Sequence, residues 1–474
     1  MGPLIYEVEF LDWLLAACLI PLAVAAVVSG LDDLVLDIWF FWDWTKRRNS
    51  GTRPPNAPSK RIAVFVPCWK EHAVIGRMLA HNLASIRYER FEFFVGVYPN
   101  DPETLAAVRE LEQSSQRVHI AFVPHDGPTS KADCLNWIYR AMLAHERESG
   151  ERFELIVTHD AEDVIHPDGL RSINAYSQHY DMVQVPVLPL ATPAIQFTHG
   201  VYCDEFAEFQ TKDVPARIGM GSFLPSNGVG TGYTRRAIEA LEEAGQGRVF
   251  DPSCLTEDYD CGIRLYRLGM KQIFLPLNRR QGRILATREF FPRRFRQAVR
   301  QRTRWVTGIA LQGWERHGWG GGLRCAYWFW RDRKGLLGNP LSVLGNLITI
   351  FGLCRWLSCS ASGQPWILST SAISEGSILW LKAALALQFW RLLVRAGCSA
   401  RVYGWAFACW SPLRTVWSNW INAAATLKAI FGYFNAKLSR REHVWLKTEH
   451  AYPVFLQAAP IRSQAYSRGL AQVR

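Results

Sequence analysis

The sequence offers no paired cysteines. The 11 are scattered, from Cys18 and Cys68 to Cys134, Cys203 and Cys254, and no two stand in a C-x-x-C arrangement. That spacing argues against a zinc site and a disulfide framework, and it fits a reducing compartment. A cleavable leader is not expected either. The first apolar run, Leu11 to Leu31, is too long for one, is acidic at its N-terminal flank (Glu7, Glu9, Asp12), and carries no small-residue cleavage pattern. Nor does a nucleic-acid motif accompany the net charge of +12. The excess of cations is therefore expected to meet anionic membrane lipids and phosphate groups, with no nucleic acid as partner.

What is present is apolar length at both ends and a mixed middle. Leu11 to Leu31 can span a bilayer, and Lys46, Arg47 and Arg48 follow it. The positive-inside rule then puts the N-terminus outside and the next domain in the cytoplasm. Asn339 to Leu357 and Ser377 to Leu393 are further candidate spans, the second carrying Lys382 and Arg391. From Leu413 to Phe434 apolar residues recur in steps of three, four and seven, while Arg414, Ser418, Asn419, Asn422 and Lys428 form another face. This predicts an amphipathic helix on the membrane surface; a fourth span would place the cluster Lys437, Arg440, Arg441 and Lys447 outside. Many of the 20 tryptophans, Trp39, Trp42, Trp44, Trp417 and Trp420 among them, flank apolar runs as interfacial aromatics do.

Between the ends, apolar strands alternate with helical patterns. Strands are predicted at 61–67, 91–99, 118–124, 153–160 and 182–187, and helices at 73–85, 104–113 and 131–147. Such alternation predicts an α/β, Rossmann-like, mostly parallel doubly wound sheet, with its ligand at the carboxyl ends of the strands. Three regions follow: a membrane helix and linker at 1–59, a catalytic domain at 60–318, and membrane or interfacial helices with a tail at 319–474.

Six motifs fall in order on this background: VPCWKE (66–71), YPNDPET (98–104), TSKADCLN (129–136), THDAEDVIHP (158–167), LTEDYDCGIRLYRLG (255–269) and QRTRW (301–305). Singly each has a bland explanation. Asp-x-Glu is usually a solvated turn, Thr256 can cap the helix it precedes, and QRTRW suits a basic membrane-surface helix. The Gly-rich 219–236 segment is expected to shape an acceptor site rather than to bind phosphate.

Taken together and in this order, the motifs resemble family 2 glycosyltransferases with the GT-A fold, over residues 60 to 310. The resemblance is to the membrane-bound processive branch that includes cellulose and hyaluronan synthases. HDAEDVIHP and PTSKADCLN in particular resemble the bacterial phage-adsorption protein B group of inner-membrane transferases, whose frequent C-terminal regulatory domain this chain is expected to be too short to hold.

The resemblance implies a nucleoside-diphosphate sugar as donor, a UDP-sugar foremost, and a glycan or lipid-linked acceptor. It implies Mg²⁺ or Mn²⁺ at Asp160 with Glu162 or Asp163, since hard cations take carboxylate oxygens. Asp101, Lys131 and Asp133 match nucleotide-binding positions. Asp258 matches the catalytic base of an inverting transfer, with a pKa expected to stay below the working pH, and Glu257 lies beside it. In QRTRW, Arg304 matches the group that supports the leaving diphosphate, and Trp305, with Gln301, the acceptor contact. Trp445, Lys447 and Thr448 loosely match a gating loop. The function implied is processive polysaccharide synthesis with export, through the chain's own spans and an export or outer-membrane partner. A single transfer to polyprenyl phosphate, or a non-catalytic scaffold, are the alternatives.

Overall fold

The computed structural model describes residues 2–47, 57–277, 279–280, 283–363, 366, 375–439 and 452–453. Helix α1 (Gly2–Arg47) leads into an α/β domain. Its first half alternates β1 (Ile62–Pro67), α2 (Ile75–Ser85), β2 (Phe91–Val97), α3 (Pro102–Ser114), β3 (Val118–Phe122), α4 (Lys131–Ser149) and β4 (Leu155–Thr158). Then come α5 (Gly169–Tyr176), β5 (Met182–Gln184), β6 (Val187–Pro189), α6 (Phe197–Glu208), a π-helical turn (Phe209–Asp213), α7 (Val214–Gly219), β7 (Thr231–Thr234), α8 (Arg235–Ala244), α9 (Glu257–Arg267) and β8 (Gln272–Phe274). A two-residue hairpin, β9 (Arg279–Arg280) and β10 (Arg283–Ile284), precedes β11 (Thr287–Glu289).

Seven strands form one sheet in the order β3-β2-β1-β4-β7-β5-β8. β7 is antiparallel to both its neighbours and the other pairings are parallel. β1 illustrates why. Its sequence, IAVFVP, is apolar on both faces, as a strand covered on two sides must be. Ile62, Val64 and Val66 enter one buried cluster with α2; Ala63 and Phe65 enter another with α4. The predicted strand at 182–187 is in fact two strands, β5 and β6, because the chain leaves the sheet after Gln184 and β6 pairs with β11 instead.

After α10 (Phe295–Trp305) a second π-helical segment (Val306–Gln312) leads to α11 (Gly313–His317), α12 (Gly322–Arg333), α13 (Gly335–Ser362), α14 (Glu375–Tyr403), α15 (Trp405–Ala408) and α16 (Ser411–Leu438). Among the described residues three helical stretches are long and apolar enough to cross a membrane: Ala17–Thr45, Gly322–Ser362 and Ser377–Tyr403. They match the three predicted spans. The charge carried by the third has a partner: Arg391 lies 3.7 Å from Asp33 of α1.

Helix α16 has its two faces where the pattern places them, but the polar one looks inward. Arg414, Ser418 and Asn422 turn toward α6, while Leu413, Val416, Phe431 and Phe434 are exposed. The expectation of a helix wetted on its polar side is corrected here. The reason is charge: α6 carries three acidic residues that need partners. Arg414 forks onto Asp204 (2.6 and 2.8 Å) with neither side chain more than 2% exposed. Ser399 of α14 donates to the same carboxylate. Arg302 of α10 pairs with Glu205 at 2.7 Å, and Arg395 of α14 with Glu208 at 2.7 Å. Burial alone would raise the Glu208 pKa, but Arg395 and Lys212 outweigh it and hold it down to about 2. Gly200, one turn before Asp204, must lack a side chain, since a Cβ there would sit 2.5 Å from Arg414 Cδ.

Removing one partner of a buried ion pair strands the other charge. Asp204→Asn is therefore expected to destabilise the protein by about 3–5 kcal/mol, read as a lowered unfolding midpoint in detergent. An unchanged midpoint would show that the pair does not hold α16 in place.

Candidate functional site

A cavity of about 1400 Å³ opens at the carboxyl ends of the central strands. Trp69 after β1, Lys131 at the start of α4, and Asp160 and Glu162 after β4 line one side. Thr256, Glu257 and Asp258 at the amino end of α9, and Gln301, Arg304 and Trp305 of α10, line the other. Residues 94 to 236 positions apart in the chain thus face one space because parallel strands deliver their ends to the same edge.

Local rules place each group. Lys131 opens α4 behind the N-cap Ser130, whose hydroxyl accepts from Asp133 N. Its ammonium sits 2.5 Å from Asp160 Oδ1 and 4.0 Å from Glu257 Oε1, tying the two acidic motifs together. Asp133 lines the same wall, 3.3 Å from His125. Asp160 and Glu162 both border the cavity, whereas Asp163 does not. Asp163 turns into the protein, where His159 Nδ1 lies 2.6 Å from its Oδ2 and the Asp160 amide donates to the same oxygen. This corrects the reading of Asp163 as an alternative ligand: it is fully buried, and its Oδ2 is spent on the turn that presents Asp160. Its other oxygen, Oδ1, is buried without a hydrogen-bond partner.

The residues present suit a divalent cation. Asp160, Glu162, Glu257, Asp258 and Glu289 all line the cavity, against Lys131 and Arg304 on the same walls. Carboxylate oxygens are the hard donors that Mg²⁺ or Mn²⁺ takes, and Asp160 and Glu162 present them just after β4. Another group, Glu92, His119 and His145, has donor atoms within 4.8 Å of one another. It lies at the amino end of the sheet, and the Arg61 guanidinium already occupies it, 2.7 Å from Glu92 and 3.3 Å from His145.

Asp258 and Glu257 stand in the first turn of α9, where the helix dipole favours negative charge. Burial pushes the Asp258 pKa up while Lys131 and Arg304 pull it down, and the net direction is upward. Burial and neighbouring Asp258 push Glu257 up to about 7. Thr256 occupies the N-cap position, but its side chain makes no capping bond. It is pressed against the second π-helical segment instead, where a Cβ on Gly308 would come within 2.5 Å of it. On the other side, Gly228 (φ +74°) lets the Gly-rich loop approach; a Cβ there would lie 2.7 Å from Asp258 Oδ2.

Trp305 is bordered by three aromatic rings, with centroids at 6.1 Å (Tyr202), 6.2 Å (Phe206) and 6.4 Å (Phe291). Past it, the cavity continues to Asp33 of α1, Arg331 and Lys334 at the end of α12, and Arg391 and Arg395 of α14. Asp101 stands apart from the cavity lining. Its carboxylate caps α3 through Thr104 N and accepts from Lys70 N at 2.5 Å. Trp445, Lys447 and Thr448 lie outside the described residues. Sequence reasoning missed α6 altogether. Its acidic residues at 204, 205 and 208 on an otherwise apolar helix were the available signal, but nothing local names their arginine partners.

A model of the family described as glycosyltransferase like family 2 matches residues 58–308. Bacteriophage adsorption protein B of Escherichia coli (strain K12) is 36% identical over 94% of this chain and 63% of its own. Bacteriophage N4 adsorption protein B of Escherichia coli O157:H7 matches to the same extent. The chain spans just under two thirds of the length of these curated relatives. Among solved structures, a mannosyltransferase of Pyrobaculum calidifontis, in complex with GDP-Man and Mn²⁺, aligns with 87% of this chain and 99% of its own. Its TM-score is 0.50 at 15% identity, a likeness of fold, and the shared architecture is GT-A. The matched region contains the carboxylates after β4, the acidic start of α9 and the QRTRW helix, and by that match the chain belongs to the glycosyltransferase like family 2.

Proposed function

We propose that the chain transfers a sugar, with inversion, from a nucleoside-diphosphate sugar to a growing glycan at the cytoplasmic face of a membrane. The carrying observation is the single cavity that runs from Lys131 and Asp160, past Trp305, to charged residues of α1, α12 and α14. A nucleotide-sugar end and a membrane end in one space suit an acceptor that lengthens and leaves along its own axis. The far end is lined by opposite charges, Asp33 against Arg331 (3.1 Å) and Lys334 (2.9 Å), rather than by aliphatic side chains. Such walls favour a hydrated carbohydrate over an isoprenoid tail. Residues 60–318 would be the catalytic domain and the flanking helices its membrane frame.

In this reading Lys131 and Arg304 bind the donor's diphosphate oxygens. Asp160 and Glu162 would hold the cation, which supplies charge compensation for the diphosphate. Asp258 takes the proton of the acceptor hydroxyl as that oxygen bonds to the anomeric carbon and the bond from carbon to diphosphate oxygen breaks. Trp305, with Phe206 and Phe291 around it, offers the acceptor sugar a flat apolar face. Gln301 and Glu257 complete the acceptor wall. The Mn²⁺ and GDP-Man bound by the archaeal mannosyltransferase agree with this donor and cation class. An export or outer-membrane partner would receive the product.

Two outcomes test the assignment. Asp258→Asn should lower turnover of a radiolabelled nucleotide-sugar by ~10²–10⁴-fold, with nucleoside-diphosphate binding retained. Turnover at the wild-type rate refutes the base, and a wild-type product no longer than one added sugar refutes elongation. The base works deprotonated and its pKa is raised, so kcat/KM should fall as pH drops through a value above the ordinary carboxylate range, and hold above it. A limb at the ordinary carboxylate value would contradict the buried, crowded Asp258.

A further inference from the structure

Because Thr256 makes no capping bond, the first turn of α9 lacks the side-chain hold usual at a helix start. Tyr259, directly after Asp258, supplies another. Its backbone N–H donates to Asp258 Oδ1 at 2.8 Å, and among the described residues no other hydrogen bond reaches that carboxylate. Its hydroxyl donates to Asp332 Oδ2 at 2.7 Å. Arg217 of α7 donates to the other oxygen of Asp332. The ring between these two bonds is fixed as well. It is buried and stands edge-on to Phe223, 5.8 Å between centroids. It also closes on Gly313, where a Cβ would come 3.3 Å from Tyr259 Cε1.

Asp332 belongs to α12, within the stretch Gly322–Ser362 that is long and apolar enough to cross a membrane. On the same turn of chain, Arg331 and Lys334 each lie 2.7 Å from Asp32 of α1. The end of α12 therefore meets α1 through its cations and α9 through its carboxylate. We propose that Tyr259 and Asp332 are positioning residues, through which helix α12 holds the Asp258 carboxylate at the acceptor hydroxyl. The inference rests on Asp258 as the base of the reaction. Neither residue touches the reacting atoms. A base works only within hydrogen-bond reach of the proton it takes, and a misplacement of about 1 Å can cost ~10²-fold in rate. The N–H that holds Asp258 and the hydroxyl that holds Asp332 belong to one buried, immobilised side chain and its own backbone. A displacement of α12 relative to α9 is thus felt at the base, and the junction of α12 with α1 becomes part of the geometry of transfer.

The test is turnover of a radiolabelled nucleotide-sugar by the full chain in detergent, with nucleoside-diphosphate binding measured beside it. Tyr259→Phe keeps the ring and removes only the hydroxyl. It should lower kcat by ~10-fold or more, with the donor KM and the nucleoside-diphosphate dissociation constant unchanged. Asp332→Asn keeps an oxygen for the tyrosine to bond, so it should lose less kcat than Asp332→Ala. Tyr259→Phe added to Asp332→Ala should cost nothing further, since both break the same bond. Losses that add in the double variant overturn the link, as does a fall in nucleotide binding that matches the fall in kcat. A wild-type kcat in Tyr259→Phe, with Asp258→Asn inactive, refutes the positioning role and leaves the base standing. Wild-type turnover in Asp258→Asn removes both together. If Asp332→Ala does not fold, Tyr259→Phe and its combination with Asp332→Asn decide the matter: the hydroxyl must still count where the acceptor oxygen remains.

Discussion

A buried layer of opposite charges around α6 holds the molecule together. Asp204, Glu205 and Glu208 lie within five residues, and each is paired with an arginine from a different helix: Arg414 of α16, Arg302 of α10 and Arg395 of α14. Lys212, just beyond, reaches Asp37 of α1 at 2.7 Å. An unpaired charge in such a place is strongly destabilising, so the four partners cannot be separated cheaply. The consequence is geometric. Helices α14 and α16 are fixed to α6 by these pairs, and α1 to the turn that follows it.

That layer reaches the chemistry through α10. Arg302, bound to Glu205, sits between Gln301 and Arg304 in the sequence and one turn from Trp305. The ion pair turns one face of α10 toward α6 and leaves the Gln301, Arg304 and Trp305 face on the cavity. Arg302 also lies over the ring of Tyr202, one of the three rings around Trp305. The QRTRW face of the cavity and the helices packed on α6 therefore rest on the same charges. Across the cavity Lys131 lies between Asp160 and Glu257, at 2.5 and 4.0 Å, and joins the two acidic motifs.

Much of this was legible beforehand. The parallel core strands, their helices and three candidate spans follow from periodicity, since a strand covered on both faces and a membrane span each need uninterrupted apolar residues. That most of the motifs would meet at one edge was legible from their order, because residues at strand ends and helix starts reach the same edge in this fold. The failures have a common cause. Asp163 and Glu162 are neighbours of similar chemistry, and only the His159 contact turns one inward. Thr256 has a capping residue's identity but packs against Gly308. The α16 stripe was read correctly as two faces, but which face looks inward depends on what α6 presents.

By itself, then, the sequence determined the elements, the order of the motifs and the family resemblance, all of which depend on local pattern. The tertiary structure alone decided which carboxylates face the cavity, which arginines meet α6, how Gly228 admits the loop to Asp258, and that α12 brings Asp332 to the hydroxyl of Tyr259. The reason is physical. Amphipathic period and strand alternation are properties of neighbours along the chain, whereas burial, charge pairing and a crowded pKa are properties of neighbours in space.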